Sequence, residues 1–347
     1  MEQWQILLQE SITRPEQLKR FSGFSPTSLQ KVTEKYPMRI NPYYLGLIQK
    51  HGDALWRQAV PDVLELEDTV CVEDPLDEEN LSPVPNLVHK YPDRALFLVH
   101  NRCAVYCRFC TRKRKVGTPE MAVSLETIDA GLDYLRRTDT IRDVLVSGGD
   151  PLLLSDSRLE YILASLRAIP HIIVIRIGSR VPCTLPMRVT PDLAAMIRRY
   201  HPVYINTHFN HPDEVTTDAS IACNRLADAG IPLGSQTVLL KGVNDDPEII
   251  KRLMYKLLRI RVKPYYLFQT DMTKGTNHFR TPIEKGLEIM QTLIGHVSGM
   301  AVPTFAVDAP GGGGKIPLQP NYVSRLDRQL VFQNYCGKTC FYDNPPN

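Results

Sequence analysis

The chain has 347 residues, with 41 lysines and arginines against 38 aspartates and glutamates and a net charge of +3. So even a balance argues against a dedicated nucleic-acid binder, which carries a strong basic bias, and no apolar run nears the ~20 residues that span a bilayer. With 43% hydrophobic residues the chain can bury a real core, and its length suits one large α/β domain with smaller appendages.

Residues 1–66 read as a helical N-terminal element. Met1-Glu2-Gln3-Trp4 opens a mixed polar stretch, not a signal peptide. Asn41-Pro42 is a helix cap followed by proline at the first helical position. Trp4, Leu7, Leu8 and Trp56 supply apolar anchors, and nothing in this element suggests ligand chemistry. Residues 67–94 read as an extended connector, acidic and broken by Asp74-Pro75 and Ser82-Pro83-Val84-Pro85. Cys71 lies there alone and reads as a structural thiol. Eight cysteines without a leader point to a reducing cytoplasm and thiolate ligands rather than disulfides.

From residue 95 apolar β-rich runs alternate with amphipathic helical ones. The strands read at 95–100, 143–148, 172–178, 203–209, 232–240, 264–269 and 303–308. Leu125, Ile128, Leu132 and Leu135 form one helical stripe after Ser124; Asp246-Pro247 and Pro282 open two more helices. Continuous apolar strands alternating with helices mean a parallel sheet covered by helices. This many units predict a partial (β/α) TIM-like barrel over 95–315, with chemistry at the C-terminal strand ends. Residues 316–347 are left as a C-terminal tail.

The first strand is followed by CAVYCRFCTRKRKVG, which sets Cys103, Cys107 and Cys110 in a CxxxCxxC pattern. Structural zinc takes four protein ligands, usually in CxxC pairs. Three thiolates leave one iron of a [4Fe–4S] cubane open to a small molecule; a zinc site borrowing a fourth cysteine from elsewhere in the chain is the competing reading. The spacing, with Phe109 just before the last cysteine, matches the radical S-adenosylmethionine (SAM) superfamily, where that iron chelates SAM. Ser147-Gly148-Gly149-Asp150 after the second strand, His208 and Gln236 point to the same mouth as SAM contacts. For each of the last two a satisfied structural polar residue is the competing reading.

At the far end stands Asp308-Ala309-Pro310-Gly311-Gly312-Gly313-Gly314-Lys315. A phosphate P-loop needs Ser or Thr after the lysine, and Ile316 follows instead. A lysine on a mobile glycine tether suits a detachable covalent link to pyridoxal 5′-phosphate (PLP). Tyr91 and Arg94, just before the first strand, are candidates for the PLP ring and phosphate. Asp271 and Asp308 each follow a late strand and together suit a cationic substrate group; a cap or solvated acid is the alternative for either alone. Arg112 could grip a substrate carboxylate with both arms of its fork.

CxxxCxxC, YPDR, SGGDPL, RIGSR, HFRTP and DAPGGGGK occur in one order over residues 70–320, and together they resemble the lysine 2,3-aminomutase family. The resemblance implies a partial barrel holding a [4Fe–4S] cluster, SAM and PLP, with Cys103, Cys107 and Cys110 as cluster ligands and Lys315 as the PLP lysine. It assigns Arg112 to the α-carboxylate of free lysine, and Asp271 with Asp308 to its ε-ammonium. A relative acting on glutamate would need a cation or neutral donor where two aspartates stand here. The activity implied is isomerisation of L-lysine to β-lysine by a radical generated from SAM. The chain differs from clostridial enzymes, which carry a zinc-binding Cys-rich end; Cys336 and Cys340 alone do not complete such a site. It resembles bacterial aminomutase-like proteins linked to β-lysylation of elongation factor P, where a separate lysyl ligase attaches (R)-β-lysine. The family's relatives form dimers or larger assemblies, so a homo-oligomer is an open expectation; the charge balance and the lack of a long apolar run argue against nucleic-acid and membrane partners. An aminomutase for another amino acid, a lysine-catabolic enzyme and a weakly active pathway scaffold are the other readings.

Overall fold

The computed structural model describes residues 2–20 and 26–345; parts of the expected N-terminal element and of the tail lie outside the described residues. Nine strands form one sheet in chain order: β1 (Leu87–Tyr91), β2 (Arg94–His100), β3 (Asp143–Gly148), β4 (Val174–Gly178), β5 (Val203–Thr207), β6 (Leu233–Leu239), β7 (Val262–Gln269), β8 (Thr304–Ala309) and β9 (Gly314–Pro317). β2 to β8 run parallel; β1 and β9 are antiparallel additions at the two edges. A parallel sheet that never skips a neighbour, with helices in its crossovers, curls on itself. The expected partial barrel is the architecture.

The edges meet without pairing. The Tyr91 hydroxyl of β1 accepts from the Lys315 N–H of β9 at 2.9 Å, and the Gly311 N–H donates to Pro75 O at 3.0 Å. Along β3, Val144 and Val146 are fully buried against the helices while Asp143, Leu145 and Ser147 are half-buried. This second row turns to the barrel interior, where Arg176 of β4 donates to Asp143 at 2.8 Å. The helices are capped as their sequences direct. Ser124 caps Leu125–Arg137 and Asp246 caps Pro247–Arg259, and their apolar stripes (Ile128, Leu132, Leu135; Ile250, Leu253, Leu257) lie in the core. No helix among the described residues is long and apolar enough to cross a membrane.

Three expectations need revising. The connector contains strand β1, joined to β2 by a two-residue turn at Pro92-Asp93; the prolines before it hide a short strand that pairs on one side only. The strand read at 203–209 stops at Thr207, so His208 lies in the loop beyond. The tail folds as an antiparallel sheet of β10 (Val323–Leu326), β11 (Gln329–Gln333) and β12 (Thr339–Asp343), whose alternation is masked by side chains exposed on both faces.

The N-terminal helices do more than pack. Asn41 caps its helix by accepting from the Tyr44 N–H, and its amide donates to Ala104 O at 3.2 Å and Thr184 O at 2.9 Å. One buried side chain thus joins the N-terminal element to the loops after β2 and β4.

Candidate active site

The loop after β2 carries the three cysteines, all free and half-buried. It is fastened from below by a residue outside every motif. Glu65, fully buried, accepts from Arg108 Nε at 2.9 Å and Nη2 at 2.6 Å, and from Lys113 Nζ at 2.8 Å. Burial alone would raise the Glu65 carboxyl; Arg108 and Lys113 hold it down at about 2. Lys113 also donates to Arg108 O and Gly275 O. The N-terminal element therefore does contribute to the site, as the anchor of the cysteine loop.

Gly148 and Gly149 lie against the same loop. A Cβ on Gly148 would sit 2.3 Å from His100 O, and one on Gly149 2.4 Å from Arg102 O. Only glycine lets these two backbones approach so closely. Asp150 is turned into the protein. Oδ1 accepts from the Ser179 hydroxyl at 2.7 Å and the Leu152 N–H, and Oδ2 from the N–H groups of Arg180 and Val181. Burial lifts its carboxyl to about 6 against the pull of those four donors. With both oxygens taken, Asp150 ties the β3 loop to the β4 loop. Ser147 and Gln236 stand half-buried on the interior row. His208 bonds Asn210 Oδ1 at 2.9 Å and lies 5.4 Å from the Phe109 ring. Burial and then Arg180 depress its imidazole to about 3, so it is neutral at any working pH.

The second cluster forms at the seam. In the β8–β9 hairpin Asp308 and Lys315 are cross-strand partners, and Lys315 Nζ lies 3.1 Å from Asp308 Oδ2 and 5.3 Å from the Phe268 ring centre. The glycine run is not a loose tether. It turns tightly, with positive φ at Gly311, Gly312 and Gly314, and its ends pair in register. Lys315 thus rides on a strand edge. Tyr91 packs on Gly314, with Lys90 and Arg94 within 5.7 and 4.8 Å of its ring centre; Arg94 also pairs with Asp93. Lys90, missed in the sequence, lies 3.7 Å from Asp308 Oδ1. The signal was there in its position beside Tyr91.

Asp271 belongs to this group. Burial first, and then repulsion from Asp308, push its carboxyl up to about 7, against the pull of Lys315 and Lys90. Its ordinary value is 3.8, so between about pH 4 and 7 the folded protein holds a proton the unfolded chain has lost. Stability then falls as pH rises through that window. Asp271→Asn should therefore raise Tm most above pH 7, with the gain shrinking toward pH 4. Thermal melts across pH check it, and a gain independent of pH would contradict it.

Arg112 lies at the edge of the same field, with its fork occupied. Nε donates to Glu78 Oε2 at 2.8 Å and Nη2 to Glu78 Oε1 at 2.5 Å. The rest of the basic run is matched too: Arg114 to Asp74 and Glu79, Lys115 to Glu79. The acidic connector neutralises the basic loop, which sequence alone presents as two unrelated charge runs.

The donor sets suit the expected groups. Cys110 Sγ accepts the Arg112 N–H at 3.4 Å and Cys107 Sγ accepts from Arg180 at 2.7 Å, as thiolate ligands favour. An amine beside an aromatic ring flanked by two cations suits a phosphorylated aldehyde.

Two family models match the sequence: the radical SAM superfamily over residues 97–254 and lysine-2,3-aminomutase over residues 290–347. The L-lysine 2,3-aminomutase of Clostridium subterminale is 49% identical over 351 residues, covering 99% of this chain and 84% of that protein. That of Bacillus subtilis (strain 168) is 50% identical over 319 residues, covering 91% and 68%. A glutamate 2,3-aminomutase of Clostridioides difficile (strain 630) is 45% identical over 321 residues, covering 92% and 76%.

Proposed function

The chain belongs to the lysine 2,3-aminomutase family of radical SAM proteins, and on that premise we propose that it converts L-lysine to (R)-β-lysine for the modification of elongation factor P. It is an isomerase that uses a [4Fe–4S] cluster, SAM and PLP. When bound, the cluster with SAM supplies the initiating radical, and PLP carries the amino group that moves from C2 to C3.

The chain's own residues divide the remaining work. Cys103, Cys107 and Cys110 would hold the cluster. Ser147, His208 and Gln236, with the backbone of Gly148 and Gly149, would face SAM; Asp150 positions that loop from behind. Lys315 would anchor PLP, with Tyr91 beside its ring and Lys90 and Arg94 toward its phosphate. Asp271 and Asp308 would take the ε-ammonium, and Arg112 the α-carboxylate.

One observation carries the choice of lysine over glutamate: two carboxylates, Asp271 and Asp308, gather at the seam. With Lys315 engaged with the cofactor and Lys90 turned toward its phosphate, the two aspartates offer acceptor oxygens and no cation of their own. A side-chain ammonium is attracted there and a side-chain carboxylate repelled. The link to elongation factor P and its lysyl ligase is supported by the resemblance to aminomutase-like proteins of that pathway. Eight cysteines, all free, suit a reducing cytoplasm. A homo-oligomer belongs to the same reading: Leu326, Phe341 and Tyr342 of the C-terminal sheet stand 70%, 65% and 62% exposed.

The test is anaerobic. Protein loaded with cluster and PLP is given SAM, a reductant and lysine, and products are resolved by chiral chromatography. (R)-β-lysine is expected. The (S) isomer would favour a catabolic role, and no β-lysine from fully loaded protein would overturn the assignment.

A further inference from the structure

Arg180 ends the RIGSR stretch after β4 and is 9% exposed. Nη1 donates to Cys107 Sγ at 2.7 Å, and Nη2 to Glu214 Oε1 at 2.7 Å and Gln58 Oε1 at 2.6 Å. Its backbone N–H is held by Asp150 at 2.8 Å, and its guanidinium lies 5.1 Å from the centre of the Phe109 ring. Glu214 is itself pinned. Oε1 also accepts the Tyr44 hydroxyl at 2.7 Å, and Oε2 accepts the N–H groups of Asn210 and His211. Every partner of this cation is buried or half-buried, so it is fixed in place with one arm on a sulfur.

We propose that Arg180 is a positioning residue that sets the reduction potential of the cluster, by donating a charge-assisted hydrogen bond to the Cys107 thiolate. The proposal rests on the reading of Cys107 as a cluster ligand. The couple is one electron: a low-potential one-electron reductant gives an electron to the oxidised cluster, and no proton need move. The added electron raises the negative charge on the sulfurs. A fixed cation donating to one of them therefore favours the reduced state. The buried Glu214 carboxylate limits the gain and orients the donor. The sequence region marked by RIGSR thus acts on the electronics of the site from behind the cysteine loop.

The test is a redox titration of the reconstituted cluster, read by the electron paramagnetic resonance of the reduced form, without SAM. Arg180→Gln should lower the reduced-to-oxidised ratio at a given potential about tenfold, which is about 59 mV for one electron. Arg180→Lys should move it the same way, because its single ammonium is drawn to Glu214 and away from Cys107. Iron and sulfide content is measured on each protein. A full cluster with an unchanged potential in Arg180→Gln overturns the proposal, and is the result expected of a residue that only grips SAM. Where Arg180→Gln takes up no iron, an unchanged potential in Arg180→Lys overturns it instead. Wild-type protein that takes up no cluster would sink the cofactor reading itself.

Discussion

Lys315→Ala is expected to abolish the visible absorbance of lysine-linked PLP and to reduce turnover by several orders of magnitude, while iron content stays at the wild-type level. The reason is position. Lys315 is held at the seam by the Tyr91 hydroxyl on its backbone and by Asp308 on its ammonium, and the cysteine loop is fastened separately through Glu65. Losing the amine leaves that second fastening intact. Because Lys90 also faces Asp308, Lys90→Ala is the necessary companion. It should retain the absorbance, with weaker PLP binding. Absorbance that survives in Lys315→Ala and disappears in Lys90→Ala would move the anchor from β9 to β1.

Asp308→Asn should raise the KM for lysine by roughly 10- to 100-fold, the cost of losing one hydrogen bond to a charged group, while PLP stays bound. Asp308 touches both lysines at the seam, so an effect on the cofactor is the natural objection. The fold answers that objection: Lys315 keeps its place on β9 and its backbone N–H keeps the Tyr91 hydroxyl when Asp308 loses its charge. The change also relieves the repulsion on Asp271, whose carboxyl should titrate below 7. The pH at which lysine binding is half-lost should shift downward with it. Titrated PLP content and KM measured across pH separate the cases; equal losses of cofactor and substrate binding would remove Asp308 from the substrate site.

How far the sequence could be read depended on whether the signal was local. The caps at Asn41, Ser124 and Asp246 and the apolar stripes behind them are written within a few residues, and these helices stand where they were expected. The CxxxCxxC spacing and the terminal lysine are equally local. Glu65, Gln58 and Glu214 are not. Each holds a cation of the site from far away in the chain, as Glu65 holds Arg108 across 43 residues and Gln58 holds Arg180 across 122, and nothing beside them marks the partnership. Asp150 is the converse: it sits inside a motif, yet all its hydrogen bonds turn inward. The glycine run before Lys315 looks like slack in the sequence, because pairing between β8 and β9 can be seen only once both strands are placed.

The Glu78–Arg112 fork has one more consequence. On the proposed reading, the resting enzyme keeps a carboxylate of its own in the seat meant for the substrate's. On that reading lysine would exchange with Glu78 rather than add to a free fork. Its affinity is then a difference between two similar bonds, weaker than an arginine fork alone would give, and nearly independent at that end of ionic strength. Molecules are sorted by the same exchange. A diamine with the right chain length would offer the aspartates its ammonium, yet it would bring nothing to displace Glu78 from Arg112.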